Sequence, residues 1–260
     1  MERKLAWEDY SKEDMTKVYE FAEGYRKFIS ECKTERECVT EFVARAEKAG
    51  FLNLADAIKA GKALKAGDRV YVNNMGKWLA MFVIGNENLE NGMNILGAHI
   101  DSPRMDIKQN PLYEDTGLAM LDTHYYGGIK KYQWVTLPLA LHGVIAKKDG
   151  TTVKVSIGDK PEDPVFGVSD LLIHLSGEQM EKKGTKVIEG ENLDLLIGSI
   201  PLPSDDEKEK EQAKDAVKAN VLRILEETYG VCEEDFLSAE IEVVPAGAAR
   251  DYGFDRSMIM

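Results

Sequence analysis

Cysteine, histidine, positive charge and long apolar runs are all in short supply in this chain, and each shortage excludes something. Only 3 cysteines occur in 260 residues, at Cys32, Cys38 and Cys232. An odd number cannot close into a framework of pairs, and their spacing is not that of a zinc-finger ligand set, so they read as reduced thiols. No apolar run reaches the roughly eighteen residues a membrane-spanning helix requires, which argues against a membrane protein. The start, Met1 to Asp9, lacks the apolar core of a secretory signal, so the chain is expected in the cytoplasm. Lys and Arg total 33 against 46 Asp and Glu, a net charge of −13 that repels phosphate backbones and excludes nucleic acid as an expected partner. No Gly-x-Ser-x-Gly elbow, Walker loop or dinucleotide fingerprint appears, so serine hydrolase and nucleotide-binding readings have no support.

What is present is an ordinary globular composition, 43% hydrophobic and 30% charged, in a chain longer than one compact core usually needs. The first fifty residues read as two helices. Val18, Phe21, Ala22, Tyr25, Phe28, Ile29 and Cys32 recur at steps of three and four, a face expected to pack on a core. Thr34 and Glu37 form a capping-box pattern before a second periodic run that Gly50 ends. Residues 69–73 and 78–84 then read as a hairpin about a Gly-containing turn. Met93 to Ala98 reads as a short buried strand that delivers His99-Ile100-Asp101-Ser102-Pro103-Arg104 at its end.

The middle of the chain is β-rich. Residues 118–126 and 139–148 read as strands, with Asp149-Gly150 as a two-residue hairpin turn into Thr151-Thr152-Val153-Lys154-Val155. Residues 165–180 and 193–200 stay ambiguous between short helix and strand. Ser204 and Glu207 predict a helix cap, Val217, Val221, Ile224 and Leu225 give one apolar face, and Gly230 ends the helix. Residues 237–245 read as a strand, and the chain then stops without a closing strand or helix.

The chemistry-bearing pattern is His99-x-Asp101. A metal-bound imidazole needs its second nitrogen held, and a neighbouring carboxylate holds it while raising its basicity. His-x-Asp alone is common, and a strand-end His satisfied by a nearby carboxylate is the safer reading of it taken alone. The longer string, Gly97-Ala98-His99-Ile100-Asp101-Ser102-Pro103-Arg104 with Tyr126-Gly127-Gly128 and Trp134 downstream, resembles the aspartyl aminopeptidase and vacuolar aminopeptidase I family of zinc metallopeptidases. The resemblance extends in order along nearly the whole chain.

It implies an α/β fold: a zinc-peptidase-type catalytic domain, incomplete here, with a β-rich dimerisation domain inserted after the His-x-Asp motif. The implied boundaries are 1–103 for the first catalytic part, 104–244 for the insertion and 245–260 for the start of the second catalytic part. His99 would be a zinc ligand and Asp101 its orienting partner. His174 would be lent to a partner subunit's active site, where it would hold a substrate carbonyl or developing oxyanion; a His satisfied locally among Leu171, Leu172, Ile173 and Leu175 is the competing reading. His142 reads as structural; His124, near the Tyr-Gly-Gly turn, is placed to line the cleft, though a residue without function is the favoured reading. Two Zn2+ per site, peptide substrates and self-association as a dimer, up to a tetrahedral dodecamer, are implied as well. A catalytic zinc needs about three protein ligands, and the chain offers one secure imidazole; Glu226-Glu227 and Glu233-Glu234 read as surface pairs. Most of such a site would therefore lie beyond residue 260. The alternative is a truncated, non-catalytic paralogue that serves as an oligomer assembly subunit.

Overall fold

Ser11 and Thr34 start the two N-terminal helices by the same device. In the computed structural model, which describes residues 3–203 and 214–260, each hydroxyl accepts from the backbone N–H three residues on while that residue's carboxylate accepts in return. Two orphan N–H groups are thereby satisfied at each start. Helix α1 spans Lys12–Glu31 and α2 Glu35–Lys48. The rings of Phe28 and Phe42 stack with centroids 5.3 Å apart, and the Arg45 guanidinium lies over Phe28. The apolar face expected to pack α1 on a core is only partly covered: α1 fully buries no residue, and Phe21 and Tyr25 are exposed.

The chain forms two compact units, residues 1–100 with 248–260, and residues 101–247. In the first, β1 (Leu52–Asn53) pairs parallel with β2 (Arg69–Asn74), which pairs antiparallel with β3 (Trp78–Val83); the short helix α3 (Leu54–Lys59) follows β1. Val39 and Ala46 from α2 and Val70 and Tyr71 from β2 form the buried core here. The stretch from Gly92 to Pro103 takes no strand conformation, and Ile95 and Leu96 are exposed. This corrects the expectation of a buried strand. An apolar run becomes a strand only where neighbours take up its backbone groups, and no described strand pairs with this one.

The second unit is a six-stranded antiparallel sheet in the order β7-β6-β9-β4-β5-β8. Its strands are β4 (Arg104–Asp115), β5 (Leu118–Tyr126), β6 (Leu139–Ala146), β7 (Thr152–Ile157), β8 (Leu195–Gly198) and β9 (Ala239–Pro245). Between β7 and β8 lies a one-turn helix, α4 (Gly177–Met180), and between β8 and β9 the longer α5 (Ala216–Tyr229), which Gly230 ends as its periodicity predicts. The Ser204 and Glu207 cap lies outside the described residues. Residues 237 and 238 belong to a 3-10 turn (Glu233–Ser238), so the last strand of the sheet starts two residues later than its pattern suggests. Two two-residue strands of the first unit, β10 (Asp251–Tyr252) and β11 (Met258–Ile259), pair antiparallel near the end, where no closing strand was expected.

Alternation sorts the two faces of the large sheet. One face carries Met105, Leu141, Ile145, Val155, Ile157, Ile241 and Val243, packed with Val221, Leu222 and Leu225 of α5 and with Phe236. The other carries a row of polar side chains in register, Ser156, His142, Glu242, Asp106 and His124, running across β7, β6, β9, β4 and β5. Gly143 shows how tightly β6 and β9 are laid together. Its φ is 155°, and a Cβ there would stand 1.9 Å from the Glu240 carbonyl oxygen.

Candidate active site

His99 lies in the irregular segment that precedes the second unit, and is solvent-exposed. It lines a cavity of about 470 Å³ within the first unit, beside Phe42, Arg45, Leu79, Met81 and Ile100. An imidazole on the wall of an open, largely apolar cavity is accessible to a metal or a substrate group.

Asp101 opens the second unit, in backbone outside any ladder, and its Oδ2 accepts a hydrogen bond of 2.8 Å from the Tyr126 hydroxyl at the end of β5. The turn that follows, Gly127, has φ 71°, a conformation a side chain strains, and its Cα side packs against Pro103. Tyr126-Gly127 thus closes back onto Asp101-Ser102-Pro103, which gives the two halves of the sequence string a common location. Arg104, the first residue of β4, is buried, and its guanidinium sits 4.7 Å from the centre of the Tyr126 ring. Its Nε–H donates to Asp106 at 2.9 Å, and the same nitrogen lies 3.1 Å from Glu242 Oε2. Arg104 thus sits between two carboxylates, hydrogen-bonded to Asp106 and ion-paired with Glu242.

The other three histidines fall in different environments. His142 on β6 is buried, with Nε2 3.0 Å from Asp159 Oδ2, as a structural histidine should be. His124 on β5 is exposed and stands opposite Asp106. His174 occupies an exposed turn, with Leu172, Ile173 and Leu175 exposed around it. His99 belongs to the first unit, and Asp101 and His174 to the second. Glu226-Glu227 sits in the last turn of α5, as expected of a surface pair, and Glu233-Glu234 opens the 3-10 turn after it. Arg104 and Glu242 escaped the sequence reading; the signal that could have found them is a charge in each of two strands whose other faces are apolar.

Zinc is the ion the His-x-Asp string suggests, and the described residues do not complete a site for it. Among them there is no group of three or more His, Cys, Asp or Glu placed to hold a metal, short of the roughly three protein ligands of a catalytic zinc.

Comparison with known proteins adds four findings. The family model described as aminopeptidase I zinc metalloprotease (M18) matches residues 28–260. A probable M18 family aminopeptidase 1 of Clostridium acetobutylicum is 62% identical over 259 residues, covering 100% of this chain and 54% of its own length. The crystal structure of an M18 family aminopeptidase from Thermotoga maritima superposes with a TM-score of 0.88 at 48% identity, covering 100% of this chain and 54% of that one. The S. cerevisiae mApe1 dodecamer shares the fold at a TM-score of 0.61 and 19% identity, over 92% of this chain and 51% of that one. The chain spans about half the length of the curated relatives it matches.

Proposed function

Because the chain belongs to the aminopeptidase I zinc metalloprotease family, M18, we propose that it is the part of a zinc aminopeptidase that contributes one metal ligand and an inserted oligomerisation unit. The substrates are peptides, from which the complete enzyme releases N-terminal residues. The observation that carries the reading is the family match over residues 28–260, with the His99-x-Asp101 string inside it. His99 is the zinc ligand, Asp101 orients its ring, and the exposed turn of His174 reaches a partner's site. The complete site holds two zinc ions, and its remaining ligands and general base lie outside these 260 residues; no hydrolytic step is assigned to the residues present. The self-associating element is the unit 101–247; the dodecamer of the yeast fold neighbour supports self-association. The acidic, cysteine-poor composition supports a cytoplasmic place of action.

Metal content tests the reading. This 260-residue chain should keep little zinc after dialysis and show no release of N-terminal residues from peptides, because one imidazole with an orienting carboxylate cannot retain the ion. Near-stoichiometric zinc that disappears in His99→Ala would mean that the chain holds its own ligand set, and the assignment of the missing ligands elsewhere would fail.

A further inference from the structure

Asp101 has no strand to hold it. It precedes β4 in irregular backbone, so side-chain contacts and not a strand ladder orient its carboxylate. The fixed point nearby is Arg104. Its guanidinium is buried, a state tolerated only with charge partners, and Asp106 and Glu242 supply them at 2.9 and 3.1 Å from Nε. Its NH1 also donates to the Ser102 carbonyl at 3.3 Å, tying it to the segment that carries Asp101. Both carboxylates come from the interior of the sheet, Asp106 from β4 and Glu242 from the opposite position on β9.

From that anchor the contacts run outward. Arg104 and Tyr126 are paired across β4 and β5, and the guanidinium lies over the ring at 4.7 Å, a cation–π contact that holds a half-exposed side chain in one orientation. In that orientation the hydroxyl donates to Asp101 Oδ2 at 2.8 Å. A carboxylate accepts on both oxygens, so the Tyr126 donor on Oδ2 is compatible with a further donor on Oδ1.

We propose that Tyr126, clamped by Arg104 on the part-buried Asp106 and buried Glu242 carboxylates, is a positioning residue for Asp101. The proposal rests on the reading of Asp101 as the partner that orients His99. Tyr126 acts through Asp101 and touches no reacting atom. The sheet interior of the second unit thereby determines how a residue of the metal-binding string presents itself.

The test uses the full 260-residue chain, free of metal, with 13C-carboxyl aspartate and 15N-histidine. The Asp101 carboxyl signal is assigned by its loss in Asp101→Asn, and the His99 ring signals by their loss in His99→Gln. Tyr126→Phe keeps the ring over which Arg104 lies and removes only the hydroxyl. It should shift the Asp101 carboxyl signal while those of Asp14 and Asp163, hydrogen-bonded elsewhere, stay in place. The His99 ring nitrogens should move toward the positions of a tautomer mixture in both Tyr126→Phe and Asp101→Asn. Arg104→Lys, which keeps the charge without the planar stack, should shift Asp101 in the same direction by less. An Asp101 signal unchanged in Tyr126→Phe overturns the proposal. A His99 signal that ignores Asp101→Asn, while Asp101 still responds to Tyr126→Phe, supports the clamp and removes only the orienting role of Asp101.

Discussion

Cys32 shows how burial, more than neighbours, sets the chemistry of a side chain. Its thiol is pushed up to about 12, mainly by burial and secondarily by Cys38 and nearby carboxylates. At neutral pH roughly one molecule in 10^5 would carry the thiolate there, and only the thiolate reacts. Alkylation followed by peptide mass spectrometry should therefore modify the exposed Cys232 first and Cys32 far more slowly; Cys32 reacting ahead of Cys232 would contradict this assignment. Asp194 gives the acidic counterpart. Burial raises its pKa, opposed by hydrogen bonds from the Tyr113 hydroxyl and the Thr123 N–H. Because the folded state binds this proton more tightly than the unfolded one, the group's contribution to stability is full below the ordinary carboxylate value. It is lost as pH rises through the raised folded value. Asp194→Asn should remove that slope while its amide oxygen still accepts from Tyr113. Urea midpoints measured at successive pH values above about 4 would show it, and an unchanged slope would reject the assignment.

At the scale of elements, α5 illustrates a cap the sequence could not reveal. The residue preceding it, Asp215, adopts a left-handed conformation and makes no side-chain cap. Glu114 on β4 serves instead, its Oε2 accepting from the N–H groups of Val217 and Lys218 at 2.8 and 2.9 Å. A carboxylate at the positive end of a helix satisfies two orphan donors and the dipole together. Glu114→Ala should cost about 1 kcal/mol, in the range of a lost cap, measured by chemical unfolding; no loss would show that water replaces the carboxylate freely. Strand β4 was also invisible, for a related reason. A register shift between Ile107 and Leu112 puts residues five apart on one face, so the polar Lys108, Gln109 and Asn110 with Pro111 break the alternation that marks a strand. The hairpin of β2 and β3 and the α2 capping box were legible because their signals are local, a turn glycine and a hydroxyl three residues before its partner.

For the whole molecule, the division into units makes a physical claim about independence. Residues 101–247 form one continuous stretch with its own core, built on Met105, Leu139, Leu193, Leu195 and Val243. That stretch should fold on its own. If it is the self-associating element, light scattering at micromolar concentration should report a dimer, and the exposed Leu172, Ile173 and Leu175 around His174 are the side chains to replace by serine. A clean monomer would remove both the assembly role and the assignment of His174 to a partner's site.

Taken alone, the sequence determined the periodic helices, the turn-marked hairpins, the reduced thiols and the string around His99, because each depends on residues within a few positions of one another. It also carried the family, since that resemblance lies in contiguous motifs. Tertiary structure alone decided that Met93 to Ala98 is not a strand, that Glu114 caps a helix 103 positions away, and that Arg104 sits between Asp106 and Glu242 with Tyr126 on Asp101. Those outcomes depend on which strands become neighbours. Pairing across a sheet brings together charges that no local pattern links, and an apolar run finds or lacks partners only when the whole sheet forms.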